Sequence, residues 1–543
     1  MAESFTEEER ALLAPHFTNL DGPVFALVDL PEVVKGALFA RYSRSPKSLR
    51  RLFLDEFAGG ALLAATSVGG PGGGEDTAAV RRAEALYERV FLEYGDDSVA
   101  QLGGVHLACE QASQPLAKVL EWGRLAAYLE QSTRYVPYAD RPGGRWRYRV
   151  PEELDPHPML AARYRATLDD AFEAYARLLE PLQEHLRELF PQEPSDTDFV
   201  YRMTIRAKAC DALRGLLPAA TRSHVGIFAT AQSYEQMVLR MRAHLLAEVR
   251  TYSDLILTEL RKVIPAFLTR VDVSDRGVAW TDYLRESRRD TAAAAARFLE
   301  GTTAEPREAV TLTDFDPDGE VKVAAAAMYA TSGLPDDQLL EVARKLTTAE
   351  RMEILQAYVG RRANRRHKPG RAFERTVYRF DVLCDYGVFR DLQRHRTLTL
   401  EWQSLGVEHG SETPPEIDAA GMRGDWDRVM EASADLFNAM REAGLGEAAQ
   451  YAVSMAYRVR FYMEMNAREA MHLIELRSTP QGHPAYRRVA QQMHRLIAEQ
   501  AGHRALSAAM RFVDHTAVDL ARLEAERRTE AKRRIMPADP PVR

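Results

Sequence analysis

Only three cysteines occur in 543 residues, Cys109, Cys210 and Cys384, far apart and never as a Cys-x-x-Cys pair. That spacing excludes a disulfide framework, argues against a zinc ribbon and fits a reducing, cytoplasmic setting. No apolar run approaches the roughly 20 residues of a membrane span. The stretch Met1–Arg10 is acidic, so no secretory signal is expected to begin there. Positive charge is not in excess: 72 Lys and Arg face 79 Asp and Glu, a net −7, which argues against a general nucleic-acid binder. His-Glu-x-x-His, a serine-nucleophile elbow and a strand-borne Gly-x-Gly-x-x-Gly are all missing, and the histidines have no metal-ligand spacing. The glycines of 69–74 lack the Lys and Ser/Thr of a phosphate-cradling loop and read as a flexible turn.

What is present is an ordinary soluble composition, 46% hydrophobic and 28% charged, on a chain long enough for two or three domains. It also repeats itself. Arg124 precedes Ser132 by eight residues and Arg396 precedes Ser404 by eight, an offset of 272 between copies. Upstream, Glu32-Val33 and Ala40-Arg41-Tyr42 echo Glu320-Val321 and Ala327-Met328-Tyr329; downstream, 230–233 echoes 466–469. A period this long implies tandem whole domains. We place an N-terminal domain at 1–268, a variable segment at 269–318 containing the Asp316-Pro317-Asp318-Gly319 turn, a second domain at 319–523, and a charged, Pro-containing tail at 524–543 expected to be disordered. Apolar residues at three-to-four spacing predict helices over 160–186, 232–260 and 455–500. The segment 376–382 alternates, placing Tyr378, Phe380 and Val382 on one side and Arg379 and Asp381 on the other, and predicts a half-buried strand turning to helix beyond Gly387. The fold class is α+β, two tandem domains each pairing a small antiparallel sheet with several long helices.

Several clusters can bind anions. Arg394, His395 and Arg396 gather two fixed charges and a titratable ring, suited to a diphosphate or to a solvated helix end. Asn466 and Arg477, eleven residues apart, share a helix face; His472 lies between them about a third of a turn away. In the first half Glu130, Ser132 and Arg134 alternate along a polar loop, and Arg214 precedes Leu216-Leu217-Pro218. Each has an ordinary alternative as a cap, turn or surface ion pair. The basic run Arg361, Arg362, Arg365, Arg366, Lys368 has no interleaved aromatics and reads as a solvated helix end.

Taken together these residues resemble the flavin-dependent thymidylate synthases, the ThyX family. Arg394-His395-Arg396, seven residues and Ser404 match its signature; Phe373-Glu374, Asn466-Ala467-Arg468 and Leu476-Arg477 echo its flanking segments. In the first half Tyr128–Tyr135 resembles the loop after that signature, and Arg214-Gly215-Leu216-Leu217-Pro218 its Arg-x-x-Leu-Pro segment. Each half has also lost something. Gly406, Gln450 and Asp391 replace the family's Arg, Arg and Gln in the second half, and Trp122-Gly123 and Thr230 replace Arg-His and Asn in the first. His367 is out of register for the family's active-site His. The resemblance implies FAD held by Glu374, Arg394, His395, Arg396, Asn466 and His472. It implies dUMP held by Glu130, Ser132, Arg134, Arg214, Arg394 and Arg477, with Ser132 and Arg477 in catalytic positions. It further implies NAD(P)H and methylenetetrahydrofolate as co-substrates, one composite site built from both degenerate halves, and a homodimer acting as a pseudo-tetramer. Two alternatives stay open: the same fold acting on a different nucleotide, because Asp accepts but cannot donate as Gln does, or a non-catalytic relic.

Overall fold

The computed structural model describes residues 4–23, 25–42, 45, 47–56, 101–194 and 196–516. The glycine run 69–74 and the tail 524–543 lie outside the described residues. Two compact units interleave along the chain: Met1–Ala112, Gly123–Glu130 and His224–Thr302 form one, and Ser113–Trp122, Gln131–Ser223 and Thr303–Arg543 the other. The 1–268 and 319–523 division follows sequence similarity, whereas these units follow packing, so the two partitions differ.

The first unit contains strands β1 (Gly104–Ala112), β2 (Ala126–Glu130) and β3 (Ser223–Thr230), in the order β1-β3-β2. β3 alternates in burial, with Val225, Ile227 and Ala229 inward, as period-two geometry requires. It pairs antiparallel with β2, Glu130 opposite Val225. The single helix expected over 232–260 is two, Ala231–Arg242 and Ala247–Leu260. At the break the Arg250 guanidinium binds the carbonyls of His244 and Leu245 at 2.8 and 2.6 Å, which satisfies backbone groups the helix no longer pairs. The stretch 269–318 contains the helix Ala279–Phe298, and its last strand, β4 (Val310–Phe315), belongs to the second unit.

In the second unit β4, β5 (Val377–Asp385), β6 (Leu398–Trp402) and β7 (Arg458–Asn466) form an antiparallel sheet in the order β4-β5-β7-β6. β5 is the strand read from alternation: Tyr378, Phe380 and Val382 are fully buried, and Arg379 on the outer face pairs with Glu464 directly opposite at 2.6 Å. β7 corrects the helix expected over 455–500. Val459, Phe461, Met463 and Met465 are buried every second residue; the helices of that stretch are Ala467–Arg477 and Pro484–Glu499. The basic run is corrected only at Arg362, since Arg361, Arg366 and Lys368 are exposed. Arg362 is buried, bonds both oxygens of Glu475 at 2.7 and 2.6 Å and donates to the Ala509 carbonyl, so it braces a loop and is not solvated.

The order β5-β7-β6 repeats β1-β3-β2. Glu130 opposite Val225 corresponds to Trp402 opposite Phe461, offsets of 272 and 236. Within the second unit, residues of the two halves meet through a reciprocal backbone ladder. Ala219 N–H donates to the Val453 carbonyl at 2.8 Å and Met455 N–H to the Leu217 carbonyl at 2.9 Å. Ala220 N–H donates to Tyr451 and Ala456 N–H to Gly215, both at 3.0 Å. Under the 236-residue offset, 219 becomes 455, 217 becomes 453, 220 becomes 456 and 215 becomes 451. Each bond is thus the image of the other, the pattern of a two-fold, self-complementary contact.

Candidate active site

Four elements of the second unit converge. The helix Asp198–Leu213 is capped by Thr197, and Arg214 follows its end; Arg477 closes the helix Ala467–Arg477. Both guanidiniums sit where helix carbonyls favour positive charge. The short helix Tyr386–Leu392 is capped by Asp385, buried throughout, and carries Arg390 and Asp391 into the interior ahead of Arg394. A Cβ at Gly387, in its first turn, would meet Arg214 Nε at 2.8 Å, so glycine leaves room for the Arg214 guanidinium beside this helix. The fourth element is the loop Ser132–Arg134, folded by Ser132 Oγ accepting the Arg134 N–H at 3.2 Å.

At the centre lies Asp391. Arg134 and Arg477 each stand 3.9 Å from one carboxylate oxygen and Arg214 3.8 Å from the other. Burial alone would raise the Asp391 carboxyl, but Arg134, Arg214, Arg477 and Arg394 outweigh it and hold the group well below the usual carboxylate range. Asp211 braces Arg214 at 3.3 Å, His483 stands 3.7 Å from Asp211, and Arg390 donates to Thr133 Oγ1 at 3.1 Å. Ser132, Thr133, Arg134, Arg214, Arg390, Asp391 and Arg394 line a cavity of only about 10 Å³, room for about one water.

Beside it, Arg477 Nε–H donates to His395 Nε2 at 3.1 Å, which places the His395 proton on Nδ1, where it meets Glu469 at 3.0 Å. Burial, then Arg477 and Lys368, keep the imidazole neutral by holding its pKa well below the ordinary value. Burial pushes Glu469 up and brings His472 down to about 4. His395, Glu469 and His472 have donor atoms within 4.8 Å of one another. Both His395 nitrogens are engaged, however, so His395 and Glu469 form a hydrogen-bonded brace for Arg477, with the His472 ring set edge-on to His395 at 5.3 Å.

The structure therefore brings Ser132, Arg134, Arg214, Arg394 and Arg477 around one carboxylate, with His395 and His472 behind Arg477. Arg394 and Arg396 are exposed, whereas His395 is buried. Asn466 Oδ1 caps its helix, accepting the Glu469 N–H at 2.9 Å. Glu374 pairs with Arg371 at 3.1 Å and Arg468 at 3.7 Å beside an open cavity of about 530 Å³, which does not include Arg394. Glu130 is buried at the end of β2, in the other unit. Sequence reasoning missed Asp211, Arg390 and Glu469; the signal available was an acid three residues before Arg214 and another three after Asn466.

Residues 60–266 and 311–501 match the family described as thymidylate synthase complementing protein. The chain belongs to that family. The first matched segment contains β1 to β3 and the second β5 to β7. A UPF0159 protein of Chlamydia muridarum is 38% identical over 536 residues, covering 97% of this chain and 99% of the relative. A UPF0159 protein of Thermoplasma acidophilum is 29% identical over 523 residues, covering 92% and 99%. A solved UMP/dUMP methylase from Streptomyces cacaoi, bound with 5-Br dUMP, aligns at 21% identity with 37% of this chain and 94% of its own, at a TM-score of 0.29.

Proposed function

We propose that this member of the thymidylate synthase complementing family is a flavin-dependent enzyme that reductively methylates dUMP to dTMP, at one composite site per chain. The observation that supports it is the convergence of Arg134 and Arg214, from the first half, with Arg394 and Arg477, from the second, around a single buried point. Guanidiniums in excess over carboxylates suit a phosphomonoester, which they bind through paired N–H donors. Ser132 offers a hydroxyl beside them, and His395 with Glu469 fixes the angle of Arg477.

The residues fit FAD. Arg394 and Arg396 are exposed cations on either side of a buried histidine, suited to a diphosphate, and the cap at Asn466 uses only its side-chain oxygen, leaving the amide N–H groups for a ligand. When bound, the flavin would supply the hydride, with NAD(P)H as reductant and methylenetetrahydrofolate as carbon source. The chain's part is to hold the nucleotide phosphate, orient the base and keep water out. Two chains would pair as a pseudo-tetramer with two working sites. A yellow purified protein that binds dUMP and restores growth to a thymidine-requiring strain supports the reading. A colourless protein that ignores added FAD overturns it, and flavin binding without complementation points to another nucleotide.

A further inference from the structure

Asp391 stands where a ligand's charge would be expected. Its three guanidinium neighbours lie at 3.8–3.9 Å, about 1 Å longer than a formed charge-assisted hydrogen bond of roughly 2.8 Å. They point at a shared anion without closing on it. Among the described residues the buried Arg214 Nη2 has no acceptor, and Arg214 as a whole is only 5% exposed. A buried donor left in that state is costly and marks a site where an acceptor belongs. At the corresponding position of the first half, 272 residues earlier, the chain has Val119, which has no charge. The carboxylate occurs only on the side where the guanidiniums gather.

We propose that Asp391 is an internal stand-in for the substrate's phosphate: it holds Arg134, Arg214 and Arg477 together while the site is empty and turns away when a phosphomonoester takes its place. This rests on the reading of the cluster as the nucleotide's phosphate site. Without Asp391, Asp211 alone would face three guanidiniums, which would repel one another and spread the site. With a tightly bonded counter-ion, a ligand could not compete. The long separations at Asp391 meet both needs, keeping the guanidiniums assembled at a moderate cost to ligand affinity.

Calorimetry on the full-length, flavin-loaded protein tests this with inorganic phosphate and dUMP as separate probes, comparing the parent with Asp391→Asn. Removing the resident charge should tighten both probes at least tenfold. It should also lower the melting temperature of the empty protein, and added phosphate should restore it. Unchanged or weaker binding of both probes in the variant overturns the stand-in. If dUMP nevertheless binds the parent, the nucleotide reading survives that failure. If phosphate tightens but dUMP binds neither protein, the stand-in holds and the nucleotide reading falls. Should Asp391→Asn not fold, a crystal structure of the parent with phosphate decides: phosphate among the guanidiniums with the Asp391 side chain rotated out supports the proposal, and phosphate elsewhere with the ion pairs intact overturns it.

Discussion

Arg214 and Gln450 are the same position of the two halves, 236 residues apart, and they do opposite things. Each follows an acid three residues earlier, Asp211 or Glu447, and each interacts with it, at 3.3 Å for Arg214 Nη1 and 3.1 Å for Gln450 Nε2. Beyond that they diverge. Arg214 reaches into the cluster around Asp391, whereas Gln450 accepts the Leu405 N–H, from its own half of the chain, at 3.0 Å. The comparison extends to the helix caps. Asn466 and Thr230 both accept the N–H three residues on, at 2.9 and 3.3 Å, so the cap persists in both halves, and only the amide donors of Asn466 are missing from Thr230. Arg477 likewise corresponds to Met241, which is buried. The caps and the local acid contacts are therefore kept twice, and the side chains proposed to hold a ligand once.

The largest expected effect comes from erasing that asymmetry. Arg214→Gln, which makes the first half resemble the second, removes a charge-assisted contact of about 1.5–3 kcal/mol and should weaken dUMP binding by about tenfold to 150-fold in calorimetry. Gln450→Ala should leave dUMP affinity within about twofold, and equal losses would erase the distinction. Next comes the flavin side. Arg394→Ala should cost at least about tenfold in FAD retention, Arg124→Ala little, and titration of the parent should saturate near one FAD per chain; saturation near two would mean that both halves bind. A finer separation is available at Asn466. Asn466→Thr should keep the cap and the melting temperature while loosening FAD, whereas Thr230→Ala should cost about 1 kcal/mol of stability with no change in the flavin spectrum. The smallest effect is in acid. The Asp391 carboxyl is held below its unfolded value of about 3.9, so its stabilisation is complete above that pH and is lost as pH falls toward the folded value. The melting-temperature gap between parent and Asp391→Asn should stay level from about pH 8 to 5 and narrow below about pH 4; a gap that widens in acid contradicts the assignment.

The strand at Tyr378, Phe380 and Val382 was legible because its outer residues are charged and its inner ones are not. β7 was not, although Val459, Phe461, Met463 and Met465 alternate just as regularly. Its outer Tyr462 breaks the polar set, and apolar residues on either side add matches at three-to-four spacing. The arginines of the site could be read by resemblance. Asp211 and Glu469 could not, because an acid near a helix end is common and acquires its role only when a distant chain segment approaches. Asp391 was visible as a departure from the family, but sequence pointed to base recognition, while the structure surrounds it with guanidiniums.

The interleaving of the two units has a consequence for dissection. The chain passes from one unit to the other after Ala112, Trp122, Glu130, Ser223 and Thr302. Because of those crossings, no single scission releases either unit whole. A gene split at the repeat boundary would encode two fragments, neither containing all of the arginines that gather at Asp391, and activity would return only on co-expression of both.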